Sequence, residues 1–233
     1  MMRKTGCGMC LDVMRASAVA FFLAGSMGRA AALKDAEAAS HVDAAAVQTV
    51  VKTYEFPGVK LVQLNLAVLS HYSYFVVSAA DALVVDPDRD IQVYLDLAKK
   101  EGWTIKGVFL THSHADFVAG HSEFIKALGC PVFQSRESGS KYAINALADQ
   151  QVVPWGDVTL QFLATPGHTP DGMCAVVFGK SDKAKPLAIL TGDTLFVGSI
   201  GRPDLMGGTM AASALAGMSY DTWVNKLAKL DDG

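Results

Sequence analysis

The stretch Leu110-Thr111-His112-Ser113-His114-Ala115-Asp116-Phe117 sets two imidazoles and a carboxylate at alternate positions directly after an apolar run. Neutral imidazole and carboxylate together suit zinc or iron. Two later segments repeat the arrangement. Thr165-Pro166-Gly167-His168-Thr169-Pro170 follows the alternating stretch Val158 to Ala164. Its prolines limit the backbone and Gly167 permits a tight turn, which would hold His168 firmly. Thr191-Gly192-Asp193 follows the apolar run Leu187 to Leu190. Taken singly, His112 reads equally as a surface-loop residue, His168 as a turn residue and Asp193 as a cap. Together, in this order and each at a strand end, they read as a metal site, because a motif gains weight from its structural context.

The elements that must position these groups can be read from periodicity. Ile105 to Leu110, with Val108, Phe109 and Leu110 contiguous, predicts a buried strand. Residues two apart on extended backbone project to one side, so His112, His114 and Asp116 can converge at its carboxyl end. Open α/β sheets usually place their ligands there. Further strands are expected near Val59 to Leu66, Tyr72 to Val77 and Ala82 to Val85, with Asp86-Pro87 as a turn. Ile91, Leu95 and Ala98 keep helical spacing and predict a helix from about Asp90 to Glu101. Ser122 to Leu128 and Tyr142 to Leu147 read as two more, His121 serving as a capping or packing residue. A last helix near Tyr220 to Leu230 would put Trp223, Leu227 and Leu230 on one face. His41 and His71 have no chemical context in the sequence.

Thr-His-Ser-His-Ala-Asp, then Thr-Pro-Gly-His-Thr, then Thr-Gly-Asp, resembles the metallo-β-lactamase superfamily in motif order and approximate spacing over about residues 56–233. That resemblance implies an α/β fold of the α+β kind, a four-layer αββα sandwich with the metal at one edge between two sheets. The run His112 to His121, together with Gly192 to Leu205, is similar to the persulfide dioxygenases, particularly those fused to rhodanese domains. Hydrolases of the superfamily usually carry His where this chain has Phe117, and a second metal is held there with the preceding Asp and a late His. Phe117 cannot ligate, and no His follows His168.

The resemblance therefore implies a triad of His112, His168 and Asp193 holding one Fe²⁺ per chain, a set that leaves positions open for oxygen and a substrate sulfur. Zn²⁺ is the alternative, with His114 available as a fourth ligand closing the site. The implied activity is oxidation of glutathione persulfide, or a similar persulfide, to sulfite. A zinc hydrolase acting on a thioester or other ester is the runner-up, and a metal-binding but catalytically silent fragment is the third reading. Asp116, freed from a second metal, is a candidate catalytic residue that would accept a hydrogen bond from a ligand imidazole or metal-bound water, or else a loop cap. Arg202 is the candidate for a substrate carboxylate, whose geometry a guanidinium matches. An internal Arg202–Asp204 pair is the plainer alternative.

Composition agrees with one catalytic domain. The chain has 233 residues, is 51% hydrophobic and carries a net charge of −3, enough apolar material for a single core. No basic patch argues for nucleic acid. Met1 to Arg15 carries Arg3, Lys4 and Arg15, Ala16 to Gly28 is apolar, and Ala30-Ala31-Ala32 supplies small residues. That order predicts a signal peptide over residues 1–32, hence a periplasmic or secreted protein without a stable membrane anchor after cleavage. A cytoplasmic protein with a misplaced start is the alternative. Cys7 and Cys10 fall within the cleaved region, and Cys130 and Cys174 read as buried free thiols. Residues 33–55 read as an Ala-rich helix or linker, and residues 56–233 as a catalytic domain incomplete at its C-terminus. The expected partners are a small persulfide or thiol substrate and O₂. A homodimer, a rhodanese partner and a missing fused domain are left open.

Overall fold

A computed structural model of the chain describes residues 48–67, 69–180, 185–206 and 210–230. The expected signal peptide, Cys7, Cys10, His41 and the first part of the Ala-rich segment lie outside the described residues.

Seven strands form the larger sheet in sequence order: β1 (Gln48–Phe56), β2 (Val59–Leu66), β3 (His71–Ser78), β4 (Asp81–Val85), β5 (Thr104–Phe109), β6 (Val132–Ser135) and β7 (Asn145–Leu147). The first four pair antiparallel, and β4 through β7 pair parallel. The parallel crossovers carry α1 (Gln92–Glu101) and α2 (His121–Leu128). The smaller sheet is an antiparallel meander of β8 (Gln151–Trp155), β9 (Val158–Ala164), β10 (Met173–Gly179) and β11 (Pro186–Leu190), in the order β11-β10-β9-β8. A two-stranded ribbon, β12 (Leu195–Phe196) and β13 (Ser199–Ile200), and then α3 (Ala212–Asn225) follow.

Strand periodicity explains the layers. On β2, β4 and β5, Leu61, Leu83, Val85 and Phe109 face the smaller sheet and pack against Leu160, Phe162, Met173 and Val177. Their neighbours Val62, Leu64, Val84 and Val108 point the other way, onto Tyr94, Ala98 and Phe124 of α1 and α2. Both faces of the larger sheet are therefore covered, so its central strands read as continuous apolar runs. The sheets are also joined at one end, where the Met173 N–H donates to the Thr111 carbonyl at 2.7 Å.

Three expectations need correction. Residues 48–55 are strand, part of β1, and not helix or linker. Tyr142 to Leu147 is no helix: Asn145–Leu147 adds β7 to the edge beside β6. The last helix begins at Ala212, well before Tyr220, and ends at Asn225; Trp223 is exposed, while Leu215 and Thr222 are its buried residues.

Candidate metal centre

The loop after β5, the Thr165–Pro170 turn after β9 and the 3₁₀ turn Gly192–Thr194 after β11 meet where the two sheets join. The ligating atoms of His112, His168 and Asp193 all lie within 4.8 Å of one another. Small side-chain shifts would bring them onto one ion, with bonds of about 2.0–2.2 Å. His168 Nε2 is already 3.6 Å from Asp193 Oδ2. This is the set expected from the sequence, and its donor chemistry fits zinc or ferrous iron.

Hydrogen bonds fix which ring nitrogens are free. His168 Nδ1 lies 3.0 Å from the Arg202 carbonyl oxygen, which can only accept, so Nδ1 carries the proton and Nε2 the lone pair. His112 is fixed at one remove. The Thr111 hydroxyl donates to Asp86 Oδ2 at 2.7 Å and lies 2.9 Å from His112 Nδ1. A hydroxyl has one proton, and the carboxylate takes it, so Nδ1 of His112 must be the donor in the second contact. Both imidazoles thus present Nε2 as a ligand.

Asp86 is the residue that sequence reasoning missed. It sits just past β4 with a left-handed φ of 47°, and its carboxylate is turned inward. Oδ1 accepts from the Thr111 N–H at 2.8 Å. It also lies 3.0 Å from His114 Nε2, an ion-pair distance. Burial would raise the Asp86 pKa, but the facing His114 and the Thr111 donor outweigh it and hold it at about 2. His114 is correspondingly raised: burial opposes its charge, and Asp86 overcomes that cost. Burial, reinforced by neighbouring His114, lowers His112 to about 3, which keeps it neutral as a ligand must be. Burial raises the Asp193 carboxyl against the opposing pull of His168, a cost that a bound cation would offset.

Two glycines allow the loops to close. A Cβ on Gly192, at φ 48°, would overlap the Thr111 side chain. One on Gly201 would overlap the Asp193 carbonyl oxygen and press on His168 Cβ.

Of the remaining candidates, His114 lies beside the triad, its ring 4.0 Å from that of His112 and its Nε2 facing Asp86. Asp116 is exposed and makes no hydrogen bond among the described residues; the support expected of it for a ligand imidazole comes from Asp86 through Thr111. The Arg202 guanidinium is forked onto Asp204, at 3.1 and 2.7 Å, so the internal pair is what forms, and the residue's contact with the site is its carbonyl. His71, without context in the sequence, donates from Nε2 to the Asp86 carbonyl at 2.8 Å. Phe117 covers that side, its ring 4.0 Å from the His71 ring and 4.4 Å from the His114 ring. Beside Asp193 a cavity of about 400 Å³ opens, lined by Tyr54, His71, Tyr74, Asp116 and Phe196 among others. Asp86 escaped notice because an Asp-Pro pair after a strand reads as a turn. The available signal was the one used for the triad, a polar residue directly following an apolar run.

Comparison with known proteins agrees with this geometry. Residues 66–232 match the family model of the metallo-beta-lactamase superfamily. A hydroxyacylglutathione hydrolase from Hahella chejuensis is 36% identical over 122 residues, 52% of this chain and 46% of that protein. A metallo-beta-lactamase from Staphylococcus aureus superposes with a TM-score of 0.68 at 29% identity, covering 73% of this chain and 52% of the other. ETHE1 from Myxococcus xanthus gives a TM-score of 0.62 at 27% identity, covering 72% and 70%. The chain spans about half the length of the curated relatives it matches.

Proposed function

The chain belongs to the metallo-β-lactamase superfamily, and from that premise we propose that it is a mononuclear iron persulfide dioxygenase, acting on glutathione persulfide or a similar persulfide. The overall change is RSSH + O₂ + H₂O → RSH + SO₃²⁻ + 2H⁺, in which the terminal sulfur is oxidised and oxygen reduced. The observation that carries the reading is a two-His, one-carboxylate cluster whose neighbouring space is taken by Phe117. The likeness to ETHE1 supports it.

Ferrous iron held by His112, His168 and Asp193 would supply the redox chemistry and open positions for oxygen and sulfur. The chain's own residues do the rest. Thr111 and the Arg202 carbonyl hold both imidazoles in the Nε2-ligating tautomer. The cavity beside Asp193, with Tyr54, Tyr74 and Phe196 in its wall, takes the organic part of the substrate. Asp116, which also lines it, would accept a hydrogen bond from that substrate.

A zinc-dependent thioester hydrolase is the second reading, favoured by the 36% identity to a hydroxyacylglutathione hydrolase. Oxygen consumption and sulfite release with glutathione persulfide, on iron-loaded and zinc-loaded protein in parallel, separate the two. The expected result is oxygen uptake by the iron form alone. Thioester cleavage by the zinc form, with no oxygen uptake by the iron form, would replace the dioxygenase by the hydrolase.

A further inference from the structure

The cavity beside Asp193, of about 400 Å³, is of ligand-pocket size, and its wall is rich in rings and poor in positive charge. Tyr54, Tyr72, Tyr74, Phe196, Leu69 and Ile189 all line it. Tyr54 and Tyr74 also pack against the core between the sheets, which holds them in place as wall. The Tyr74 hydroxyl accepts from Gln63 Nε2 at 3.1 Å, and burial pushes its phenol above the ordinary range, so this ring stays neutral.

Among the described residues no Lys or Arg lines the cavity. Arg202 is forked onto Asp204, and Lys52 lies over the Tyr54 ring, 4.5 Å from its centroid, without joining the lining. His114 does line it, but Asp86 at 3.0 Å matches its charge. Of the lining carboxylates, Asp86 faces His114 and Asp193 belongs to the triad, which leaves Asp116 to face a ligand. A substrate carboxylate drawn into this space would give up water, meet no free cation and face Asp116, and burying a charge without a partner is costly.

We propose that this cavity selects persulfides whose organic part is apolar or aromatic and carries no free carboxylate. The inference narrows the dioxygenase reading and rests on it for the sulfur end; the organic end follows from the wall. The overall change is the one written above, with R a group such as benzyl. Selection is a difference of affinities, made here by rings that accept one ligand and a carboxylate that disfavours the other. Glutathione persulfide, with two carboxylates, is then the slower substrate.

Calorimetry on the full-length chain isolates the organic end when thioethers stand in for persulfides. The probes are S-methylglutathione, its diethyl ester and benzyl methyl sulfide. The ester keeps the peptide skeleton and removes both carboxylate charges. It and the sulfide should each bind at least about tenfold tighter than S-methylglutathione. Asp116→Lys, a change of charge at an exposed position, should tighten S-methylglutathione about threefold or more and narrow the gap. S-methylglutathione binding as tightly as the other two, no binding by the ester or the sulfide, or a gap unchanged in Asp116→Lys would overturn the proposal. Oxygen uptake by the iron-loaded chain reads the sulfur end separately. There kcat/KM should be at least about tenfold higher for the diethyl ester of glutathione persulfide than for glutathione persulfide itself. A preference for glutathione persulfide would overturn the proposal and leave the dioxygenase standing. No uptake with either, alongside the expected order of thioether binding, would sink the dioxygenase reading and leave the cavity's preference standing.

Discussion

At the scale of single residues, the candidate ligands that the fold brings together were legible and their supports were not. His112, His168 and Asp193 each stand directly after an apolar strand in motifs with restricted backbone, so residue type and position pointed to them. Asp86 has the same position, but its inward direction depends on a left-handed φ and on Thr111 and His114, which arrive from elsewhere in the chain. Its importance can be measured. Asp86→Asn removes the charge facing His114 and disturbs the bond that fixes His112, so metal affinity should fall about 10–100-fold. Loss of a buried charge partner should cost about 3 kcal/mol near neutral pH. The pH dependence has a definite sign. The folded pKa of about 2 lies below the ordinary 3.8, so the Asp86 contribution is fully present above about pH 4 and is lost as pH falls toward 2. Urea denaturation of metal-free wild type and Asp86→Asn should therefore show a stability gap that narrows over that interval. A gap that widened on acidification would contradict this role.

At the scale of elements, strands with alternating or continuous apolar pattern were readable, and edge elements were not. β9 and β11 coincide with their sequence signals because inward residues such as Leu160, Phe162 and Leu190 fill the space between the sheets. β1 is an edge strand whose Val50 and Val51 are each 48% exposed, and backbone pairing to β2 holds it more than side-chain burial does. β7 is three residues long and forms by adding to β6, a tertiary event with little local signature. α3 buries only Leu215 and Thr222, so its Ala-rich start showed little helical periodicity. The β12–β13 ribbon matters most for the site, because it returns the chain so that Gly201 packs against Asp193 and His168. Gly201→Ala should displace those ligands while leaving the distant core intact. The expected outcome is metal affinity lowered at least about tenfold, with the urea midpoint of metal-free protein little changed. Full metal affinity in Gly201→Ala would show that the close approach is not required.

At the scale of the whole molecule, two sheets packed face to face put three separate strand ends at one edge, and that convergence makes a candidate metal centre from residues spread over positions 112 to 193 of the chain. Only the fold brings Phe117 against His71 and His114, where it fills the side on which a second ion would need ligands. The account therefore stands or falls on how many metal ions each chain binds. Elemental analysis of protein purified without oxygen, combined with its exact concentration, measures this directly. The expected result is one ion per chain, retained by the wild type and lost from His112→Ala, His168→Ala and Asp193→Ala alike. Two tightly held ions per chain, or one that survives replacement of all three residues, would contradict the account.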